Sequence, residues 1–468
     1  MCSNTTDVET DVVVVGAGMA GLVAAARATE LGADIELLEK GPRPGGSMYL
    51  SGGAIWTLDS FEAAREKIPH GNPELQQLVV DSFEDAIEWL EELGANVKGP
   101  QFDLPGRERT VDPPDFTDHM VAVLEEAGVE VRLRTPVTGL RTDESGDVTG
   151  VTASGPNGRT TVDANSTVLA TGGFQGNEEL LKRYVTDHPE NVRLRSNPWS
   201  TGDGLEAATD IGAKTTHGMG AFYGHNLLAR PAQFSPLEFR ETQYYGPMTV
   251  ALDEDGRRYT DETISAREET LAQDTAKHAG GTGYLVIDDD LYDVPFRESK
   301  TIGDIVETAR KYDGRVAECD SLDALEATLD EWGVNGRRAV STLERFNRAV
   351  RTDSFDLLDH PREDNRHPID TPPFHVVAVQ PGITFTMGGL SVTGEMRVRR
   401  RATSSSDLDP GYVPETNRTL FEDTFESLFA AGVDVGNVSH RRYMGGLSQA
   451  LVTGKIAGEG AARNAGAN

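Results

Sequence analysis

The stretch Asp11-Val-Val-Val-Val15-Gly-Ala-Gly-Met-Ala-Gly21 decides the fold. An unbroken β-branched run has no polar face for water, so it reads as a strand covered on both sides. Glycines 16, 18 and 21 follow at once, then an Ala-rich helical segment to about Leu31 and a second strand, Asp34-Ile-Glu-Leu-Leu38, ending at Glu39. That is a βαβ unit with its glycines at the first strand-to-helix turn. Gly16 permits the tight turn, Gly18 lets the backbone approach a pyrophosphate, and Gly21 allows close helix–strand packing. The helix N-terminus then offers N–H groups to the diphosphate. Glu39 stands at the end of the second strand, where a carboxylate accepts ribose hydroxyls. Strand, glycines, helix, strand and acid in this order point to dinucleotide binding on a Rossmann-like α/β domain.

Outward from this unit, residues 73–94 carry Leu75, Leu78, Val79, Phe83, Ile87 and Leu90 at helical spacing and read as one packing helix. Residues 129–169 read as short strands, with turns at Glu144-Ser-Gly and Gly155-Pro-Asn-Gly. From about 206 to 375 the pattern is mixed, with a helical hairpin over 321–332 and 337–350 and no second nucleotide fingerprint. Strand patterns return at 374–379 and 390–398, and Arg399-Arg-Arg401 beside three serines reads as a solvated loop. Leu428-Phe-Ala-Ala-Gly432 and a helix across 447–463 close the chain. The simplest topology builds the nucleotide-binding domain from residues 1–205 and 376–468, with an α+β capping or substrate domain inserted over 206–375.

The 468 residues carry 44 Lys plus Arg against 76 Asp plus Glu, a formal net charge of −32. So acidic a chain repels phosphate backbones and anionic lipid, which argues against nucleic-acid or membrane-surface partners. Only nine of the basic residues are Lys, and acids occur in every segment. Such a composition reads as halophilic, since molar salt screens repulsion between surface carboxylates. Two cysteines, Cys2 and Cys319, build neither a disulfide framework nor an iron–sulfur or haem site, and no metal ligand set is evident. No apolar run is long enough to span a bilayer, and the opening MCSNTTDVETD lacks a secretory pattern. The expectation is a cytoplasmic protein.

Further motifs join the glycine turn: Gly45-Gly46-Ser47, Ser51-Gly-Gly-Ala-Ile-Trp56, Leu169-Ala-Thr-Gly-Gly-Phe174, Thr201-Gly-Asp-Gly204, Gly256-Arg-Arg-Tyr259 with Asp261-Glu262, Thr342-Leu-Glu-Arg-Phe-Asn347, Thr386-Met-Gly-Gly389 and Phe429-Ala-Ala-Gly432. In this order the set resembles the flavoprotein family of soluble fumarate reductases over nearly the whole chain. Relatives of that family include succinate dehydrogenase flavoprotein subunits, urocanate reductases, tricarballylate dehydrogenases and 3-ketosteroid Δ1-dehydrogenases. The resemblance implies FAD in the nucleotide site. It implies Gly16, Gly18, Met19 and Ala20 at the pyrophosphate, Glu39 with Lys40 at the adenosine ribose, and the backbone of Val137 at the adenine. Ser47, Ser51, Gly52 and Gly53 are expected along the ribityl chain. Gly172 and Asp203 are expected near the flavin, and Gly432, Val433, Leu447 and Ser448 at the ribityl chain and pyrimidine edge. Succinate dehydrogenases tether FAD through a histidine where this chain reads Ser47-Met-Tyr-Leu-Ser51, so the resemblance implies noncovalent FAD.

The substrate positions depart from the family pattern. Thr384 and Phe385 replace its His-His pair, Arg442-Tyr443 replaces Asn-Arg before Met444-Gly445-Gly446, and Val433 replaces the acid, with Asp434 one position later. The position of the proton-donating arginine falls on Tyr292, while His225 resembles a carboxylate ligand. Ketosteroid Δ1-dehydrogenases use tyrosines at positions resembling 443 and 292, the first to polarise a ketone and the second to remove a proton. The resulting expectation is an FAD-dependent oxidoreductase that interconverts a C–C single bond and an activated C=C bond. Tyr443, Tyr292 and His225 are its catalytic candidates, and Phe385, Thr384, Arg442, Gly445 and Gly446 its substrate contacts. Electrons come from or go to an external donor or acceptor. Fumarate- or succinate-type activity, a flavin oxidase or hydroxylase, and a non-catalytic FAD-binding protein are the alternatives.

Overall fold

The structure, a computed structural model, describes residues 5–102, 104–156, 158–234, 245–264, 268–297, 300–401 and 424–467. The chain divides into two units. The first takes residues 1–177, 197–219 and 386–468, the second 178–196 and 220–385.

The first unit is built on a sheet whose central strand, Thr5–Val15, pairs in parallel with Ile35–Leu38 on one side and Gly158–Leu169 on the other. Beyond these lie Val131–Arg132 and Thr424–Ala430, both also parallel, with Arg397–Arg399 at one edge. The hairpin Val137–Thr142 and Val148–Gly155 adds to Gly158–Leu169. Register places Val15 opposite both Leu38 and Leu169, and Leu169 opposite Ala430. The loops starting at Gly16, Glu39, Ala170 and Ala431 therefore leave the sheet along one edge, at the carboxyl ends of its strands, where α/β sheets bind ligands. Val12, Val13 and Val14 are fully buried, as the unbroken apolar run requires.

Two helices cover the sheet at this edge, Met19–Glu30 and Gly446–Asn464. They meet through small residues: a Cβ on Gly454 would lie 2.6 Å from the Ala20 carbonyl oxygen, and one on Gly458 would lie 2.4 Å from that of Ala24. The expected single helix over 73–94 is instead two, Pro73–Asp81 and Phe83–Glu92. Ser82 breaks it, leaving helical geometry at ψ 3°. Likewise, residues 390–396 form isolated bridges, not a strand, and only Arg397–Arg399 is extended. Arg399 and Arg400 are half-buried, not solvated, because Arg400 lies over the Phe425 ring at 4.0 Å and within 3.6 Å of Asp147. The neighbouring serines lie outside the described residues.

The second unit centres on the long strand Phe374–Thr386, paired antiparallel with Gly283–Ile287 and Val316–Cys319. Arg193–Leu194 pairs with Gly382–Ile383, which draws residues 178–196 into this unit, where the sequence suggested the first. Residues 206–219 go the other way, into the first unit. The helical hairpin is present as Leu322–Glu331 and Gly336–Thr352, capped by the side chains of Ser321 and Asn335. The Gly256-Arg-Arg-Tyr259 motif is structural here. Arg258 makes a bidentate pair with buried Glu262 at 2.8–3.2 Å, and the Arg362 guanidinium lies 3.7 Å from the same carboxylate.

Candidate functional site

The three fingerprint glycines serve three physical ends. Gly16 has φ +103°, and a Cβ there would lie 2.3 Å from the Ala170 carbonyl oxygen. A Cβ on Gly21 would lie 1.8 Å from the Gly16 carbonyl oxygen, so helix and strand touch backbone to backbone. Gly18 differs. Its φ is an ordinary −74°, and a Cβ would meet nothing nearer than Gly46 Cα at 3.9 Å. Gly18 is also the N-cap of the 12-residue helix Met19–Glu30 and supplies no capping side chain, so the first-turn N–H groups of Met19 and Ala20 depend on something else. A space that a side chain would fill, in front of a helix N-terminus, fits a diphosphate.

Glu39 is buried, its two oxygens accepting the Ala17 N–H at 2.8 Å and the Gly41 N–H at 2.6 Å. Each carboxylate oxygen retains a lone pair, which fits a ribose hydroxyl. Lys40 turns away to Asp203, 2.7 Å from its carboxylate, and Thr201 also donates to Asp203 at 2.6 Å. Asp203 therefore pairs with Lys40, the residue after Glu39 in the chain. Ser47 accepts from Asn197 Nδ2 at 2.9 Å. The Ser51 hydroxyl holds the Gly53 N–H at 3.0 Å, which shapes the turn through Gly52. Val137 begins the strand that pairs with Ala153.

At the far end of the cradle, Gly172 and Gly432 adopt φ +75° and +63°. Gln449 fixes the Gly432 loop by donating to the carbonyls of Gly432 and Val435 at 2.8 and 2.9 Å. Val433, Thr386 and Gln175 converge on Gly173, where a Cβ would lie within 3.0 Å of each. Thr386 Oγ1 and Gln175 Oε1 are buried there without a hydrogen-bond partner, an unmet polar demand that a cofactor edge can answer. Asp434 accepts the Thr171 N–H and hydroxyl, and burial pushes its carboxyl up to about 6 against those stabilising bonds.

Leu447 and Ser448 lie in the first turn of Gly446–Asn464. The Ser448 side chain is not at the cradle surface. It is fully buried and donates to the Trp56 carbonyl at 2.7 Å, pinning the helix to the strand Ala54–Thr57. Gly445 is required by the same contact, since at φ +106° a Cβ would lie 1.8 Å from the Trp56 oxygen.

Tyr443 stands just before this helix. Its ring meets Trp56 edge-on at 5.3 Å, and its hydroxyl oxygen accepts the Gly446 N–H at 2.7 Å. Gly446 therefore does not give its N–H to substrate, as the sequence suggested; it gives it to the tyrosine. The approach to Tyr443 is strained. Arg441 has φ +58°, and Arg442 N donates to the His440 carbonyl at 2.7 Å across it, closing a three-residue turn that L-residues rarely adopt. The His440 ring meets His70 edge-on at 5.8 Å and lies tilted against His217 at 5.7 Å. Among the described residues, no group of three or more His, Cys, Asp or Glu side chains is arranged to hold a metal ion.

The second unit carries its own cluster. His225 is fully buried, with Nε2 3.2 Å from the Tyr223 hydroxyl, and the Tyr223 ring leans on Phe385 at 5.4 Å. Buried Arg195 lies 5.9 Å from the Tyr223 ring, and the Thr384 hydroxyl is buried without a hydrogen-bond partner. Sequence reading missed Tyr223 and Arg195. Tyr223 had a signal, because it lies two residues before His225 on a strand and so shares its face. Arg195 had none.

Tyr292 does not join them. Its hydroxyl donates to Glu307 at 2.7 Å and its ring stacks on His375 at 4.7 Å. His375 and Phe385 are ten residues apart on one strand, roughly 30 Å at the usual rise. Burial and the Glu307 carboxylate push the phenol up to about 12, the wrong direction for a base near neutrality.

Residues 11–447 match the model of a family described as FAD binding domain. A probable fumarate reductase of Shewanella frigidimarina is 26% identical over 97% of this chain and 75% of its own. The open conformation of a flavocytochrome c3 fumarate reductase superposes with a TM-score of 0.67 at 25% identity, covering 98% of this chain and 79% of that one. The 3-ketosteroid Δ1-dehydrogenase of Sterolibacterium denitrificans shares the fold, with a TM-score of 0.73 at 18% identity over 97% and 99% of the two chains. The chain belongs to the FAD binding domain family, and is an FAD-dependent oxidoreductase.

Proposed function

We propose that the protein interconverts a C–C single bond and a C=C bond activated by a neighbouring ketone or ester carbonyl, with Tyr443 as the hydrogen-bond donor to the activating oxygen. The pairing of the Tyr443 hydroxyl with the Gly446 N–H carries this reading. An N–H donated to a phenol oxygen polarises its O–H, so the O–H donates more strongly to an oxygen gaining negative charge. Trp56 and the start of the last helix fix the ring, so little reorganisation is needed as charge develops. Arg442, one position earlier, is suited to a carboxylate on the same substrate. FAD supplies hydride donor or acceptor chemistry when bound, held by Gly16–Gly21, Glu39, Gly172 and the Gly432 loop. Binding is noncovalent, since residues 47–51 contain no histidine, and electrons are exchanged with an external partner. The protein works in the cytoplasm, at high salt.

Relatives named as fumarate reductases, a urocanate reductase and a vinyl phenol reductase support a reaction at a C=C bond. A C=C bond activated by a carboxylate alone is the second reading, favoured by buried Arg195 in the cluster with His225. A stopped-flow screen of the reduced protein against enones and enoates, and of the oxidised protein against their saturated counterparts, tests both. Flavin oxidation or reduction by an enone pair supports the first reading, and by enoates alone the second. No response beyond reoxidation by oxygen overturns both.

A further inference from the structure

Four large apolar side chains are exposed among the described residues, and only one, Trp199, belongs to the first unit. A lone exposed apolar residue needs no explanation by itself. Trp199 is distinguished by how firmly it is held and by what stands beside it.

The segment that carries it is fastened to the cradle at several points. Asn197 Oδ1 accepts the Trp199 backbone N–H at 2.7 Å, and its Nδ2 donates to the Ser47 hydroxyl at 2.9 Å. Asn177 donates to the Thr201 carbonyl at 2.9 Å. Asp203 holds Lys40, the residue after Glu39. A 46%-exposed indole is thus presented on backbone tied down on both sides, not on a free loop.

The neighbour is Glu39. A Cβ on Gly41 would lie 3.2 Å from Trp199 Cδ1, 3.5 Å from its Nε1 and 2.9 Å from Glu39 Oε1. Gly41 does not adopt a left-handed φ, so its backbone would accept any residue. What excludes a side chain there is the pair formed by the indole edge and the carboxylate. The ribose acid and the one large apolar side chain exposed among the described residues of this unit therefore border the same point.

We infer that the Trp199 indole is a wall of the compartment that takes the adenosine half of FAD. Glu39 binds the ribose hydroxyls while the indole covers apolar surface of the nucleoside, and the indole's own exposure falls when the cofactor is present. Aromatic side chains suit adenine because each offers a π-face to the other. Removing one typically weakens nucleobase binding roughly ten- to a hundredfold.

The test uses flavin-free protein and titrates FAD calorimetrically into wild type, Trp199→Ala and Trp199→Phe. Trp199→Ala is expected to raise the FAD Kd by about tenfold or more, and Trp199→Phe to stay within about threefold of wild type. The visible spectrum and reduction potential of bound flavin should not change in either variant, because the adenosine half carries no redox chemistry. An FAD Kd within about twofold of wild type for Trp199→Ala overturns the inference. So does a spectrum or potential shifted in Trp199→Phe, which keeps a ring in place and guards against a misfolded alanine variant.

Discussion

Gly16 and Ala170 meet so closely that a Cβ on the glycine would stand 2.3 Å from the Ala170 carbonyl oxygen. A Cβ on Gly18, two residues on, would meet nothing nearer than Gly46 Cα at 3.9 Å. One fingerprint thus contains glycines needed by the protein and a glycine needed by its cofactor, and substitution separates them. Gly16→Ala should destabilise the flavin-free protein by roughly 1–3 kcal/mol through forced backbone displacement. Gly18→Ser places a favoured N-cap residue in free space, so the flavin-free protein should melt at or slightly above the wild-type temperature. Its FAD affinity should nevertheless fall at least tenfold. Calorimetric melting with an FAD titration checks both, and a destabilised Gly18→Ser would contradict the division of roles.

This turn was legible in the sequence because its constraints are local. Val12–Val15 announces a strand covered on both faces, and Gly16 and Gly21 answer backbone contacts made within the βαβ unit or at the end of the adjoining strand. The substrate residues were less legible because their neighbours come from far along the chain. Counting from the strand at Gly283–Ile287 gave Tyr292, yet what decides its chemistry is Glu307 and His375, which no spacing reveals. Sequence places Gly446 at the substrate, but its N–H is claimed by a side-chain oxygen three residues back.

Tyr292→Phe should therefore leave turnover within about twofold of wild type. It removes one hydrogen bond to the exposed Glu307, worth about 1 kcal/mol. Steady-state rates and a urea melt check the two halves. A large loss of turnover would return Tyr292 to the chemistry.

Asp434 gives a pH signature opposite to that of most carboxylates. Burial raises it to about 6 from 3.8, so between those values the folded state keeps a proton that the unfolded state has lost. Stability from this group is highest in acid, falls as pH rises through that window, and is level above it. Between about pH 4.5 and 7.5 the fall is about 2 kcal/mol at 1.36 kcal/mol per pH unit. Asp434→Asn should remove it, seen as a difference in urea midpoints between the two proteins at the two pH values. Parallel pH profiles would contradict a raised carboxyl.

The net charge of −32 should make stability depend on salt. The Debye length is about 30 Å at 0.01 M and about 3 Å at 1 M, so repulsion across the surface is lost over that range. The thermal midpoint should rise steeply between those conditions. A flat midpoint would contradict the halophilic reading of the composition.

The central claim is that Tyr443, set by the Gly446 N–H, stabilises negative charge on a substrate oxygen. Its most direct test is single-turnover flavin oxidation or reduction by Tyr443→Phe, using the substrate pair returned by the enone and enoate screen. Phenylalanine keeps the ring on Trp56 and removes only the hydroxyl, so FAD content should match wild type. The rate should fall about 10²–10³-fold, as for loss of an oxyanion-stabilising donor. A rate within about threefold of wild type, less than about 0.7 kcal/mol in the barrier, would contradict the account and leave this tyrosine a packing residue.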